Sequence, residues 1–316
     1  MQDLGRVDFL SQAVPISGAM DTLSARIANL AVGNSDTEAV IEFTYGNASF
    51  KCDTDILLSY CGNGATLQSH NEKLPAARAI FLKAGTIVNL KNTTSGARTY
   101  LAVPGGWDLP LVLNSRSTYT PAGFGGYEGR ALKVNDWLSG SKKLSKTNIQ
   151  LLNDFKNSNK SYARWGIYED LIRAKNQKVV RIILGGESNW FDETSIVDLL
   201  SKTYTIDLKS NRMGIYLKGS KLKRVQSTEL LSTAVCPGTI QVNGDGEMIL
   251  LMADCQTTGG YPRIAQVALV DLPICAQLKP GDEILFEEIS PLAAEKLYLK
   301  QERDLAKLAL AIEMIL

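Results

Sequence analysis

The chain is almost without histidine: His70 is the only one in 316 residues. A Ser-His-Asp or Cys-His relay needs an imidazole beside its nucleophile. His70 stands in HNEKLP, which reads as a solvated turn, so those mechanisms are excluded along with any multi-histidine metal site. Cysteine is sparse as well. Cys52, Cys61, Cys236, Cys255 and Cys275 are odd in number and have no CxxC spacing, which argues against a disulfide framework and a zinc site. No apolar run approaches the ~20 residues that span a bilayer. The opening MQDLGRVDFL lacks the basic segment and apolar core of a signal peptide, so the expectation is a cytoplasmic chain that enters no membrane. Excess charge is missing too. With 34 Lys and Arg against 33 Asp and Glu, the formal charge of +1 gives no reason to expect nucleic acid or an anionic surface as partner.

What is present is an ordinary globular composition, 45% hydrophobic and 21% charged. The length suits two domains. Many short apolar runs separated by turn residues predict a mainly β chain with a few helices, built as barrels or sandwiches rather than a doubly wound sheet. Strands are expected at Ala39–Tyr45, Ile56–Tyr60, Ala79–Leu82, Thr86–Leu90 and Arg98–Val103, after a helix capped by Asp21 whose apolar stripe is Leu23, Ile27, Leu30 and Ala31. Residues 3–18 read as extended. The boundaries expected are 1–140 for a first barrel, 141–177 for a lysine-rich connection, 178–290 for a second barrel and 291–316 for a C-terminal helix. A short amphipathic helix is expected at Tyr168–Lys175, and another helix at Thr194–Ser201. Ser290 as N-cap and Pro291 at N1 start the C-terminal helix, which either packs on the barrel or docks onto a partner. Three segments, Lys83–Val88, Lys133–Leu138 and Lys279–Ile284, each put a turn before an apolar strand, an echo compatible with two related domains.

Val235 to Arg263 is the stretch that concentrates polar chemistry. Thr239–Asn243 and Met248–Ala253 read as a hairpin around Gly244-Asp245-Gly246, whose residues tolerate positive φ. Asp254-Cys255-Gln256-Thr257-Thr258-Gly259-Gly260-Tyr261-Pro262-Arg263 follows, either a polar turn closing a sheet or a loop approaching a small polar ligand. Two tempting nucleotide motifs fail. GFGGYE at Gly123 has Glu128 where a dinucleotide fingerprint needs Gly, and GIYLKGSK at Gly214 has Ser220 where a P-loop needs Lys. The Gly123–Arg130 loop instead offers Glu128 as acid or base and Arg116 and Arg130 as anion binders, or an ion pair between them.

PISGAMD at Pro15–Asp21, ANLAVGN at Ala28–Asn34, SRSTY at Ser115–Tyr119, GFGGYEGRALK at Gly123–Lys133, SNRMG at Ser210–Gly214, then PGTIQV, QTTGGYPRI, DLP and LKPGD resemble one bacterial family along nearly the whole chain. That family is known as the C subunit of 5-oxoprolinase or allophanate hydrolase subunit 2, within the biotin-dependent carboxyltransferases. The resemblance implies two cyclophilin-like β-barrel domains. It implies a component of an ATP-dependent 5-oxoprolinase, using ATP with Mg and acting with a homologue of the B subunit (allophanate hydrolase subunit 1-like) and with the hydrolase of the complex, its A subunit. It leaves two alternatives: the carboxyltransferase part of a urea carboxylase, served by biotin on a separate carrier, or a regulatory protein that binds the B homologue. Matched motifs nominate Arg212, Glu128, Asp254, Gln256 and Tyr261 as catalytic. Asn211, Arg130, Thr257, Thr258, Gly259, Gly260, Arg263 and Arg116 are nominated for substrate or nucleotide. In this reading Arg212 takes a substrate carboxylate or phosphate, Gln256 holds an oxyanion, and Asp254 or Glu128 moves a proton. Cys255 varies within the family and is read as tolerated; the other four thiols are expected buried or half-buried.

Overall fold

The structure is a computed structural model that describes residues 1–158, 160–168, 178–226 and 228–315. The chain forms two compact units, the first from Met1–Gly5, Asp21–Arg173 and Arg303–Leu316, the second from Arg6–Met20 and Ala174–Glu302. Strands dominate both.

In the first unit, α1 (Thr22–Ala31) starts where Asp21 accepts a hydrogen bond from the Ser24 backbone N–H at 2.8 Å. This satisfies one of the donors a helix leaves open at its start. Leu23, Ile27, Leu30 and Ala31 are buried as their spacing predicts, each large one contributing roughly 1.5–3 kcal/mol over exposure. The strands are β1 (Ile41–Thr44), β2 (Ser49–Lys51), β3 (Ile56–Cys61), β4 (Ala65–Ser69), β5 (Glu72–Lys73), β6 (Ile80–Leu82), β7 (Ile87–Asn92) and β8 (Arg98–Ala102). They form two four-stranded sheets, β1-β8-β3-β6 and β2-β7-β4-β5. Leu58, Tyr60 and Leu101 of the first sheet meet Leu67, Val88 and Leu90 of the second in one core. Short β2 and β5, mostly exposed, carry no run of apolar residues and escape a reading of periodicity.

Within residues 141–177 lies a helix that the lysine content concealed. α2 (Lys146–Lys156) has a capping box, in which Ser145 accepts from the Asn148 N–H and Asn148 accepts from the Ser145 N–H. Only Asn148, Leu151 and Phe155 are buried, too narrow a stripe to stand out among polar residues. Asn148 joins an amide network: its Nδ2 donates to Val32 O (2.7 Å) and Asn34 Oδ1 (3.0 Å). Asn34 in turn donates to Asn29 Oδ1 and Val103 O, both at 2.8 Å, and accepts from the Gly105 N–H. The helix expected at Tyr168–Lys175 falls outside the described residues from Glu169 onward.

The second unit is built on a closed barrel. Its elements are β9 (Val179–Leu184), α3 (Glu193–Ser201), β10 (Tyr204–Ile206), β11 (Gly214–Lys218), β12 (Thr233–Ala234), β13 (Thr239–Val242), β14 (Met248–Leu251), β15 (Thr258–Gly259), β16 (Arg263–Val267), α4 (Leu272–Gln277), β17 (Glu283–Glu288) and the start of α5 (Pro291–Ile315). The strands close in the order β10-β11-β14-β13-β16-β9-β17, leaving the two-stranded β12-β15 apart. Closure removes exposed strand edges. Among the described residues, only β17 and β9 pair in parallel. Alternation decides the faces: Ile240, Val242, Met248 and Leu250 point into the barrel core. The hairpin forms as expected, with Asn243 Oδ1 accepting from the Asp245 and Glu247 N–H groups, although Gly246 alone of the turn glycines has positive φ. Residues 7–12, expected extended, form a 3-10 helix.

One turn occurs in both units. In Lys133–Asp136 and Lys279–Asp282 the aspartate N–H donates to the lysine carbonyl, while the aspartate Oδ2 accepts from the lysine N–H (2.7 and 2.8 Å). The third residue is left-handed in each, Asn135 at φ 71° and Gly281 at φ 88°. After Lys279 a strand follows. After Lys133 none does, contrary to expectation, and Val134 and Trp137 stay outside.

The amide network is a demanding polar feature of the first unit, because each buried amide satisfies the others. Asn34→Ala is expected to lower stability by about 2–3 kcal/mol, orphaning the Gly105 N–H and the Val103 carbonyl. Urea unfolding followed by far-UV circular dichroism measures it, and a loss below about 0.5 kcal/mol would refute this account.

Candidate functional site

The polar stretch after β14 has a geometric task. β14 runs toward Leu251, which pairs with Gly214, and β16 starts at Arg263 beside Gln241. The two strands are parallel with β13 between them, so residues 252–262 must return from one rim of the barrel to the other. With a strand rise of ~3.4 Å per residue, the rims lie on the order of 10 Å apart. The crossing runs over the outer face: Val235, Leu251 and Cys255, with Ile249, form an apolar patch separate from the barrel core. β15 within it pairs with β12, Thr258 opposite Ala234 and Gly259 opposite Thr233.

Each end is held by an arginine–carboxylate fork. At the first rim Arg212 donates from Nε to Asp254 Oδ2 at 2.7 Å and from Nη2 to Oδ1 at 3.0 Å. Asp254 is buried. Its Oδ1 also accepts from Ser17 Oγ at 2.9 Å, and Arg212 Nη2 reaches the Gly18 carbonyl at 2.6 Å. PISGAMD, SNRMG and the start of the crossing thus meet on one ion pair, with Ser17 in the left-handed region at φ 57°. At the second rim Arg263 donates from Nε to Glu187 Oε2 at 2.7 Å and from Nη2 to Oε1 at 2.6 Å, and Nη1 lies 3.3 Å from the Ala234 carbonyl. The Arg263 side chain holds the Glu187 carboxyl below its ordinary pKa, and Glu187 raises that of Arg263. Gly185 is required here, since a Cβ would stand 2.2 Å from the Arg263 carbonyl oxygen.

Between the forks, Gln256, Thr258 and Tyr261 are exposed, and their side chains make no hydrogen bond among the described residues. Thr257 gives its carbonyl to the Val235 N–H. Gln241, buried beneath, donates to the Tyr261 carbonyl at 3.0 Å, and a Cβ on Gly259 would press within 2.6 Å of its amide nitrogen. Gly260 is exposed. Asn211 is turned back on its own loop, its Oδ1 accepting from the Met213 N–H at 2.7 Å. Cys255 is buried, and burial pushes its thiol up to about 12, which removes it as a nucleophile at neutral pH. Cys236, expected buried, is the exposed thiol, because it lies on the open side of the turn between β12 and β13.

The remaining nominated residues belong to the first unit. Arg130 forks onto Asp136 (2.7 and 2.8 Å) and reaches Glu128 Oε2 from Nε at 3.0 Å. Asp136, with Glu128 adding to it, raises the Arg130 pKa, while Arg130 and the Lys133 N–H hold Asp136 down to about 2. The alternative of an ion pair is therefore the observed one for Glu128. The Arg116 guanidinium lies 3.8 Å from Glu38. Its backbone N–H serves Asp3, whose carboxylate also accepts from Ser115 Oγ and Ser117 Oγ at 2.7 and 2.6 Å. SRSTY thus anchors the N-terminal residues. Asp3, Ser17, Glu187 and Gln241 were not singled out from sequence. Ser17 lies in a recognised motif and Glu187 follows two glycines at the end of a buried strand, but nothing local marks Asp3 or Gln241.

A closed mixed barrel crossed on its outer face, with a second, mainly β unit that also carries α1 and α2, is the fold class of carboxyltransferase domains. The chain belongs to the carboxyltransferase domain family, subdomain A and B, which matches residues 12–288. It is 35% identical to the C subunit of 5-oxoprolinase from Escherichia coli strain K12, over 98% of this chain and 94% of that protein. It is 30% identical to urea amidolyase of Saccharomyces cerevisiae, over 96% of this chain but 16% of that protein. Among solved structures, the urea amidolyase of K. lactis is similar with a TM-score of 0.85 and 27% identity, over 97% of this chain and 19% of that one. The family resemblance and the mainly β fold seen in the sequence stand.

The folded Glu187 carboxyl titrates below its unfolded value of about 4.3, so the fork's stabilisation is complete above that pH and is lost as pH falls through the folded pKa. Glu187→Gln should therefore cost about 2 kcal/mol at pH 7 and progressively less below pH ~4, read by urea melts across pH. Equal cost at both ends of the range would show that the carboxylate charge is not what matters. With a thiol reagent such as DTNB, the native protein should label at Cys236 first, while Cys255 and Cys275 react only on unfolding; rapid native labelling of Cys255 would contradict its burial.

Proposed function

We propose that the chain is the C subunit of an ATP-dependent 5-oxoprolinase. It acts with the A and B subunits to turn 5-oxoproline, ATP and water into L-glutamate, ADP and phosphate. The observation that carries this reading is reciprocal length: the similarity to the C subunit of the Escherichia coli 5-oxoprolinase spans 98% of this chain and 94% of that protein. Against urea amidolyase the chain accounts for a small part of a larger protein.

The crossing supplies the surface for this chemistry. Gln256, Thr258 and Tyr261 present an amide, a hydroxyl and a phenol on backbone held at both ends. Such a face suits hydrogen bonding to the lactam amide and carboxylate of 5-oxoproline. Arg212 and Arg263 act as positioning residues, because their forks fix the crossing. Three of the four arginines nominated for an anion are already committed. Arg212, Arg263 and Arg130 are each engaged by a carboxylate, and no group of three or more His, Cys, Asp or Glu among the described residues could hold a metal ion. ATP with Mg is what the oxoprolinase reading requires of the complex, and no step is routed through it on this chain.

A second reading has its own support. The structural similarity to urea amidolyase over 97% of this chain favours carboxyl transfer from biotin on a separate carrier. Both readings are separable with the chain co-purified with its A and B subunits. ADP and glutamate should form with 5-oxoproline and not with urea plus carboxybiotin carrier. Gln256→Ala and Thr258→Ala should lower kcat roughly 10- to 100-fold with unchanged melting. Turnover with urea alone would select the second reading, and a stable but inert complex would select a regulatory role.

A further inference from the structure

The crossing carries two glycines in succession, and only one of them is required by the fold. At Gly259 an added Cβ would press within 2.6 Å of the Gln241 amide nitrogen, so the backbone itself needs the room. At Gly260 neither conformation nor packing asks for glycine. Its φ lies outside the left-handed region, where a side chain is strained. An added Cβ would meet only the Leu230 carbonyl oxygen at 3.4 Å and Ser232 Oγ at 3.7 Å, which are ordinary contacts. The position beside Gly260 is therefore open, and two polar atoms border it.

The pairing of β12 with β15 puts them there. Thr233 stands opposite Gly259 and Ala234 opposite Thr258, so one step outward Ser232 lies beside Gly260. Exposure alternates along both strands. Ser232, Ala234 and Cys236 are exposed while Thr233 is half-buried and Val235 buried; Gln256, Thr258 and Gly260 are exposed while Thr257 and Gly259 are half-buried and Cys255 buried. Ser232 thus shares the open face with Gln256 and Thr258. Neither its hydroxyl nor the Leu230 carbonyl makes a hydrogen bond among the described residues.

An acceptor and a hydroxyl donor bordering one open point suit an amide of particular shape. A lactam is held cis by its ring, so its N–H and C=O lie side by side on one edge, whereas a trans amide points them in opposite directions. A backbone carbonyl can only accept, and a serine hydroxyl can donate, so the pair matches both groups of that edge.

We propose that Leu230 and Ser232 form an amide-edge subsite, in which the Leu230 carbonyl accepts from a lactam N–H, the Ser232 hydroxyl donates to the lactam carbonyl, and the missing side chain of Gly260 leaves room for the ring. The choice of 5-oxoproline as the lactam rests on the oxoprolinase reading. Gln256 and Thr258, further along the same face, are then left to hydrogen-bond the substrate carboxylate.

The test uses the chain purified with its A and B subunits and steady-state kinetics on 5-oxoproline. Gly260→Ala should raise KM at least ~30-fold with kcat little changed and melting unaltered, because the methyl group fits the fold but not the ligand. Gly259→Ala is the control for packing and should lower the melting temperature, since Gln241 has to move. Ser232→Ala should raise KM roughly 10-fold, and Ser232→Thr, which keeps the hydroxyl, should restore most of it. N-methyl-5-oxoproline has no N–H to give to Leu230, and its Ki should lie at least ~10-fold above the KM for 5-oxoproline. Wild-type KM in both Gly260→Ala and Ser232→Ala, in a complex that turns over 5-oxoproline, overturns the subsite and leaves the oxoprolinase reading intact. A wild-type complex inert toward 5-oxoproline but active on urea overturns that reading; the subsite then stands if Gly260→Ala raises the KM for urea, which offers the same edge, and falls if it does not. A complex inert toward both overturns the two together.

Discussion

A buried carboxylate has to be paired, and in the second unit that constraint organises the rest. Asp254 lies out of solvent at the point where the chain leaves the barrel, so Arg212 and Ser17 must come to it. Their arrival draws three sequence-distant segments together and fixes where the crossing begins. Glu187 and Arg263 do the same where it ends. Neither pair is a surface ion pair of the kind worth little. Each makes two directed bonds between a planar guanidinium and a carboxylate, shielded on several sides. The residues between them are consequently displayed on a nearly fixed backbone, so a ligand would lose little in ordering them.

The first unit is held by the same logic with neutral donors. Asp3 gathers the hydroxyls of Ser115 and Ser117, and Asn29, Asn34 and Asn148 exchange amide bonds beneath the glycine turn at Gly105. The strands supply the core, while these polar nodes decide where its long connections run. The repeated lysine–aspartate turn fits the idea of two related halves that have diverged. One copy starts a barrel strand; the other ends in an open tryptophan.

Much of the fold is legible along the chain because it depends on near neighbours. The stripe of α1, its Asp21 cap, the hairpin around Gly246 and the alternation of β13 and β14 follow from side-chain period and turn chemistry acting over a few residues. Family motifs extended that reach to the site loop. The failures share a cause. β2, β5 and α2 have too few apolar residues to show a period; β2 and β5 form by pairing with β7 and β4, and α2 by its capping box and the burial of Leu151 and Phe155. Cys236, expected buried, is exposed, while Cys255 in the polar stretch is buried, because which side of a crossing is open depends on the barrel beneath it. The arginines look like anion binders in isolation, and only the folded chain supplies Glu187, Asp254 and Asp136 as their partners.

The sequence by itself therefore determined the residue chemistry available, with a single histidine, the mainly β architecture and the family. Tertiary structure alone decided which charges are spent on each other and which polar groups remain open to a ligand. The physical reason is range: propensity and pattern act within a turn or a strand. Ion pairs such as Arg212 with Asp254 join residues 42 positions apart, and only closure of the barrel makes them neighbours.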